Sequence, residues 1–258
     1  MQGLLLMAFA LAALTLLEGR FPARRDPSQR LLNIAILVAR MIPSVFLSPV
    51  VSAAVVRIAD HLGVPAITSP AWPPLAATAA YILAGDFGEY MFHRAQHAVP
   101  FLWRMHSLHH SDPCMNATTT DRHWWGDSVI KALTIWPAVA ILFRPSVTTL
   151  AVYGVLAVYN YFSHANLRVS FGRLSWLLNS PSYHRTHHSS DPAHHGANFA
   201  ALFPIFDVIL GSYRPAAVFP PTGLEHRPET LVQALIWPFL PEPGAPPPVT
   251  EARTAVGP

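Results

Sequence analysis

Long apolar runs separated by short polar stretches organise the chain. Residues 4–17 are apolar apart from one Thr and carry no charge. Residues 31–56 form a second run, interrupted by Arg40, Pro43 and Pro49. Residues 72–92 form a third, with Asp86 and Glu89 near its end. Residues 128–143 and 146–162 flank Arg144-Pro145. Each of that pair is close to the ~17-residue lower limit for a membrane span, which predicts a tight helical hairpin. No run alternates with the period of a lipid-facing strand, and helices satisfy their own backbone hydrogen bonds in lipid. The expected fold is all-α: a polytopic membrane bundle of four or five apolar segments under a cytoplasmic helical cap. No basic residue precedes the first run and no clear small-residue cleavage site follows it, which favours a short membrane helix over a signal peptide.

The polar breaks are rich in histidine. His93 and His97 stand in HRAQH, His106, His109 and His110 in HSLHH, His184, His187 and His188 in HRTHH, and His164 in SHANL. Residues three and four apart share one helical face, so each box presents its rings together. A single His is ordinarily a surface or interfacial residue, but neutral imidazole is also the commonest metal ligand. Nine imidazoles exceed what one four- to six-coordinate ion uses, so the pattern predicts two metals. Imidazole suits Zn, Cu, Fe and Ni alike, and the ligands alone leave that choice open. A zinc protease helix reads His-Glu-x-x-His, whereas Arg94 stands where that Glu belongs.

Composition sharpens the membrane reading. Only 12% of residues are charged, about half the share of an ordinary soluble domain. The few basic residues are scattered with no aromatic-interleaved run, which argues against a nucleic-acid partner. Arg20, Arg24, Arg25 and Arg30 follow the first run, Arg94, Arg104, Arg122 and Lys131 the third, and Arg168, Arg173, Arg185 and Arg214 the fifth. The positive-inside rule then puts the N-terminus outside and these segments, with every histidine box, in the cytoplasm. The lone Cys114 rules out an internal disulfide framework.

The stretch AGDFGEYMFHRAQHAVPFLWRMHSLHHSD, followed by HANL, NSPSYHRTHHSSD, Asn198 and IFDVILGSYRP, resembles the fatty acid hydroxylase superfamily, also called the sterol desaturase family. The resemblance runs from about residue 18 to residue 239. It implies a membrane anchor of four or five helices with a cytoplasmic cap around two non-haem irons. The implied ligands are His93, His97, His106, His109, His110, His164, His184, His187 and His188. The implied reaction uses dioxygen and external electrons to hydroxylate or desaturate a C–H bond of a lipid, such as a fatty acyl chain or a sterol or terpenoid. A separate donor, a reductase with ferredoxin or a b-type cytochrome, is expected, because the chain has no dinucleotide fingerprint, ferredoxin cysteine set or fused haem domain. Departures from the family pattern, Asn198-Phe-Ala200, Phe206-Asp207 and Gly211-Ser212, bear on the substrate more than on the metals.

Four residues are candidates to support the ligands. Asp86 and Glu89 are carboxylates near the end of an apolar run, an expensive placement that usually serves function. Glu89 either receives a ligand histidine's free N–H or pairs with an interfacial arginine. Asn160, one turn before His164, either acts through water or packs as an amide; Asn198 follows the third box. His194 and His195 are expected to face solvent, and His123 to have at most an accessory role. Residues 1–92 are read as the anchor, 93–215 as the histidine-box region with the hairpin at 128–163, and 216–258 as a Pro-rich tail, all in one structural domain. Within the tail, residues 228–239 either lie on the membrane or pack over the cap, and 241–258 are expected to be disordered. The competing functional classes are a metal transporter, which would place ligands at mid-bilayer, and a metal-stabilised membrane protein without turnover.

Overall fold

The computed structural model describes residues 2–26, 28–68, 71–216 and 219–241; most of the expected disordered segment, 242–258, lies outside them. Among the described residues the secondary structure is helical, with two isolated β-bridges, Pro22 with Leu167 and Ser189 with Thr222, and no strand. The first run is helix α1, Gln2–Arg20. Its last turn is anchored in polar structure. Glu18, 2% exposed, accepts from the backbone N–H of Ala117 (2.8 Å) and Asn166 (2.7 Å) and pairs with Arg30 (2.7 Å).

The second run keeps its helix through both prolines. Helix α2, Arg30–Ile42, passes through a π-helical turn, Pro43–Leu47, into α3, Ser48–His61. Proline removes one N–H, and a wider i→i+5 turn accommodates the gap without ending the helix. This 32-residue unit is long and apolar enough to cross a membrane. Leu31, Val38, Ile42, Phe46, Val50 and Ile58 leave its flank exposed.

Helix α4, Pro74–Ala98, begins with proline at its first position and runs past the apolar segment to carry the first histidine box. Val99, extended at φ −98° and ψ 119°, separates it from α5, Pro100–His110. A residue before proline is pushed out of the helical region, so Pro100 sets the corner that brings box one against box two. The C-terminal end of α5 is held by buried Arg122, whose Nε donates to the Leu108 carbonyl (3.0 Å) while its other nitrogens reach Asn33 (2.7 Å) and Gln29 (2.8 Å).

The expected pair at 128–162 is divided into α6, Asp127–Leu133, α7, Ile135–Phe143, α8, Val147–Ala157, and α9, Tyr159–Ser163. Left-handed Arg144 (φ 42°) turns the chain between α7 and α8 and pairs with Asp60 of α3. Helix α7 packs against α3 and α4, and α8 against α1 and α4. Then come α10, Pro181–His187, α11, Ile205–Ile209, and α12, Leu231–Leu235. Residues 228–239 pack partly against α2 and α5, with Val232, Ile236 and Phe239 left exposed. Trp237 joins Ile36, Met105, Leu108 and Trp124 in the larger core and donates its indole N–H to Ser107 (2.9 Å), while Arg104 holds the Pro238 and Leu240 carbonyls at 2.7 Å each.

Candidate metal centre

All nine box histidines converge, in two adjacent groups. His93, His97, His106, His110 and His187 form one, and His109, His164, His184 and His188 the other; within each group every residue offers a nitrogen within 4.8 Å of all the others. Helix geometry explains the division. In α5, His106 and His110 (i, i+4) join the first group and His109 the second. The third box reverses this, with His184 and His188 in the second group and His187 in the first. The second and third boxes therefore serve both groups, whereas His93 and His97 of the first box go to one group and His164 to the other. The groups touch where the rings of His110 and His188 stack at 4.3 Å between centroids.

Backbone carbonyls fix three rings. Phe199 accepts from His93 Nδ1 (2.7 Å), Ala197 from His187 Nδ1 (2.8 Å), and Asn160 from His164 Nδ1 (2.7 Å). A carbonyl can only accept, so each Nδ1 carries the proton and each Nε2 presents a bare lone pair. Those lone pairs point at other imidazoles: His93 Nε2 lies 3.0 Å from His106 Nε2, His187 Nε2 3.1 Å from His110 Nε2, and His164 Nε2 2.9 and 3.1 Å from His184 and His109 Nε2. Both ring nitrogens of His97, Nε2 of His188, and Nδ1 of His106, His109 and His184 are buried without a hydrogen-bond partner. Buried polar atoms are normally satisfied. Converging Nε2 lone pairs, with the unpartnered nitrogens of His97 and His188, in a nitrogen-only set are what a cation at each group would resolve, so the donor set fits two metals; the Nδ1 atoms of His106, His109 and His184 lie on the far side of rings whose Nε2 would ligate.

The protonation balance agrees. Burial, then the crowding of other imidazoles, holds His97, His106, His109, His110, His184 and His188 well below the usual histidine pKa; burial and the same neighbours also outweigh His187's bond to Ala197. Burial takes His93 and His164 down to about 4, against the opposing effect of their carbonyl bonds. At neutral pH the rings are neutral, the form that ligates.

The supporting residues differ in part from expectation. Glu89 takes neither expected partner: it pairs with Lys131 Nζ (2.9 Å) and accepts from the Trp136 indole (3.0 Å). Asp86 does not touch a histidine either; it accepts the backbone N–H groups of Leu202 and Phe203, both at 2.9 Å, and so holds the loop that supplies the Phe199 carbonyl. At Asn160 the backbone carbonyl orients His164, while the amide donates to the Ala157 carbonyl (3.2 Å). Asn198, left-handed at φ 61°, ties the same loop to Tyr183 and Arg214. His194 and His195 are half-buried rather than solvent-facing, bound to Ser189, and belong to neither histidine group. His123 stacks on His109 (4.2 Å, 13°). Arg94 turns to the Tyr90 hydroxyl and the Leu210 carbonyl.

Two residues escaped the sequence reading. Asp207 accepts from the Tyr183 hydroxyl, Ser212 Oγ (2.7 Å) and the N–H groups of Phe199 and Ala200 (2.9 Å each); an acid inside the apolar phrase IFDVI was its available signal. Lys131, the sole lysine, four residues after Asp127 in an apolar run, was legible on the same grounds.

A cavity of about 680 Å³ opens beside the histidines. His93, His106, His109, His164 and His184 face it from one side, and Met7, Tyr153, Gly154 and Val158 contribute apolar wall.

The profile of the family described as fatty acid hydroxylase matches residues 78–212. An alkylglycerol monooxygenase of Xenopus tropicalis is 35% identical over 144 residues, 56% of this chain and 32% of that protein. The Homo sapiens alkylglycerol monooxygenase is 29% identical over 224 residues, 86% of this chain and 48% of the relative. The ornithine lipid hydroxylase OlsE of Rhizobium tropici is 30% identical over 142 residues, 55% and 43% of the two chains. The chain thus spans between about a third and a half of these relatives' lengths. No solved structure matches it.

Proposed function

The chain belongs to the fatty acid hydroxylase family, and from that premise we propose that it is a membrane-bound di-iron oxygenase that hydroxylates a C–H bond of a lipid. The observation that carries the reading is the pair of adjacent, buried, all-histidine groups opening on a part-apolar cavity. The balance is R–H + O₂ + 2e⁻ + 2H⁺ → R–OH + H₂O, with electrons from a separate reductase system. The residues to hold the metals are the five histidines of one group and the four of the other. Iron bound there supplies the dioxygen chemistry that the side chains themselves lack.

The protein's own contribution is position and environment. The carbonyls of Phe199, Ala197 and Asn160 aim three rings and fix their tautomers. Asp86 and Asp207 suspend the 199–203 loop that supplies one of those carbonyls. Buried walls keep bulk water from the reacting C–H bond. On this reading α1, the helix over residues 30–61 and the apolar part of α4 cross the bilayer, α7 and α8 form a hairpin within it, and the centre faces the cytoplasm.

Iron-supplemented protein in mild detergent is expected to carry close to two irons, to consume dioxygen with a reductant, and to give a lipid product heavier by one oxygen. Well under one iron per chain, or no dioxygen uptake by the loaded protein, would sink the reading. Proteolysis in sealed vesicles is expected to place Arg104 and Arg185 on one side of the membrane; opposite sides would separate the groups.

A further inference from the structure

Residues 199–212 run down the side of α4, away from the histidines, and return. The descent starts where the Phe199 carbonyl meets His93. The N–H groups of Leu202 and Phe203 reach Asp86, which precedes His93 by seven residues and so lies about 10 Å farther down the helix at about 1.5 Å per residue. Helix α11 then climbs. Phe206 packs against Phe87 (5.3 Å between ring centroids), and the Leu210 carbonyl accepts from Arg94 (3.4 Å), one residue past His93. Ser212 Oγ ends the excursion at the Tyr90 hydroxyl (2.8 Å).

The main chain of this excursion is paired from inside the protein. Asp207 takes the N–H groups of Phe199 and Ala200, and Asp86 those of Leu202 and Phe203. The Asn179 amide donates to the carbonyls of Ala200 (3.1 Å) and Ala201 (2.9 Å), and its backbone N–H to that of Leu202 (2.9 Å). Pro204 has no N–H to satisfy. A loop in water needs no such service, because solvent pairs its backbone groups. The outer side is apolar. Val208, Ile209 and Leu210 are exposed, Ile209 at 70%, beside the exposed stripe of Leu83, Phe87 and Met91 on α4.

We propose that residues 199–212 form a re-entrant loop, seated in the cytoplasmic leaflet beside α4 with Val208, Ile209 and Leu210 against acyl chains. The assignment rests on the membrane reading above, in which the apolar part of α4 crosses the bilayer. Non-helical backbone is tolerated at membrane depth only where protein covers it and pairs its polar groups. That requirement accounts for two buried carboxylates, Asp86 and Asp207, within apolar phrases of the sequence. Arg94, at the head of the excursion, marks the level where a long cation reaches out of the apolar layer. The bilayer then helps to hold the carbonyl that aims His93.

The test uses full chains in nanodiscs of palmitoyl-oleoyl phosphatidylcholine, each with bimane on one introduced cysteine: Ile209→Cys, Leu83→Cys on α4, or Ala193→Cys on the exposed stretch after the third box. Cys114 is buried and stays in place, and the unaltered chain gives its background. Quenching by a lipid nitroxide on the upper acyl chain is compared with quenching by aqueous iodide. Ile209→Cys is expected to match Leu83→Cys in lipid quenching and to be shielded from iodide at least about fivefold relative to Ala193→Cys, as befits a group about 5–10 Å into the acyl boundary. Ile209→Asp is expected to lower the folded-to-unfolded ratio in nanodiscs about tenfold or more, the effect of a charge facing lipid, while Ile209→Leu stays close to the unaltered chain. A water-facing α11 would accept aspartate as an ordinary surface change. Iodide quenching of Ile209→Cys equal to that of Ala193→Cys, or an Ile209→Asp chain of full stability, with Leu83→Cys still quenched from lipid, would overturn the re-entrant loop and leave the membrane reading standing. Loss of lipid quenching at Leu83→Cys would remove the membrane reading, and the loop assignment with it.

Discussion

The two histidine groups draw on the same helices in exchanged proportions: α5 gives two rings to the five-membered group and one to the other, and the third box does the reverse. They differ in their remaining contributor. The larger group takes His93 and His97 from α4, while the smaller takes only His164, at the end of the short helix α9. Their supports differ too. His164 is aimed by a carbonyl one turn back in its own chain. His93 and His187 are aimed by Phe199 and Ala197, on a loop held by Asp86 and Asp207. The four-histidine group thus has one ring aimed from within its own turn of chain, whereas the five-histidine group has two rings aimed from the loop beside residues 199–203, which Asp86 and Asp207 hold.

Removing a ring attacks each group directly and has the largest expected effect. His187→Ala for the larger group and His109→Ala for the smaller are each expected to lower activity at least about a hundredfold and to reduce bound iron, while membrane insertion, which depends on the apolar helices, stays normal. Iron content, activity and membrane fractionation check this. Full activity at normal iron in either variant would refute the di-iron assignment.

Asp207→Ala separates the groups by their supports. It removes the acceptor of two hydroxyls and two backbone N–H groups at a residue with no exposed surface. Leaving such donors unpaired is expected to cost about 3–5 kcal/mol, read as a lower melting temperature. Iron should be lost first from the five-histidine group, which Mössbauer spectra of partly loaded protein would resolve. Equal loss from both would remove the distinction.

Acid is expected to act on both groups. The lowered histidine pKa values mean that the unfolded chain binds more protons than the folded one once pH falls below the ordinary histidine value of about 6.5. Stability and iron retention should hold above that pH and decline between about 6.5 and 4, where burial has placed His93 and His164. Melting temperature followed across that range tests the sign; a rise on acidification would contradict it.

The chain of boxes made all nine rings legible, because i, i+3 and i+4 spacing survives any arrangement of the helices. It could not show that the second and third boxes divide between two groups while the first does not, since that depends on where α4, α5 and α10 meet. Apolar runs predicted the helical class and an apolar segment over residues 31–56, which the structure extends to a helix over 30–61, but not its passage through Pro43 in a π turn. Glu89 was legible as an unusual carboxylate, while its partner lay 42 residues on, in a separate apolar run. The carbonyls of Ala197, Phe199 and Asn160 were hidden for a plainer reason: every residue has one, and only the folded chain selects which is used.

Asn160 gives the smallest expected effect. Its side chain donates to the Ala157 carbonyl, within its own turn of chain, and the acceptor for His164 is its backbone. Asn160→Ala keeps that backbone acceptor and removes only a part-exposed amide, so iron content should be unchanged and activity should move less than about twofold, in line with ordinary surface substitutions. Ser163 also donates to the Asn160 carbonyl (3.0 Å), which keeps the turn in place without the amide. If Asn160→Ala instead emptied the four-histidine group, the amide would be acting on the metal through water, and that group would depend on a side chain as the larger one depends on Asp86 and Asp207.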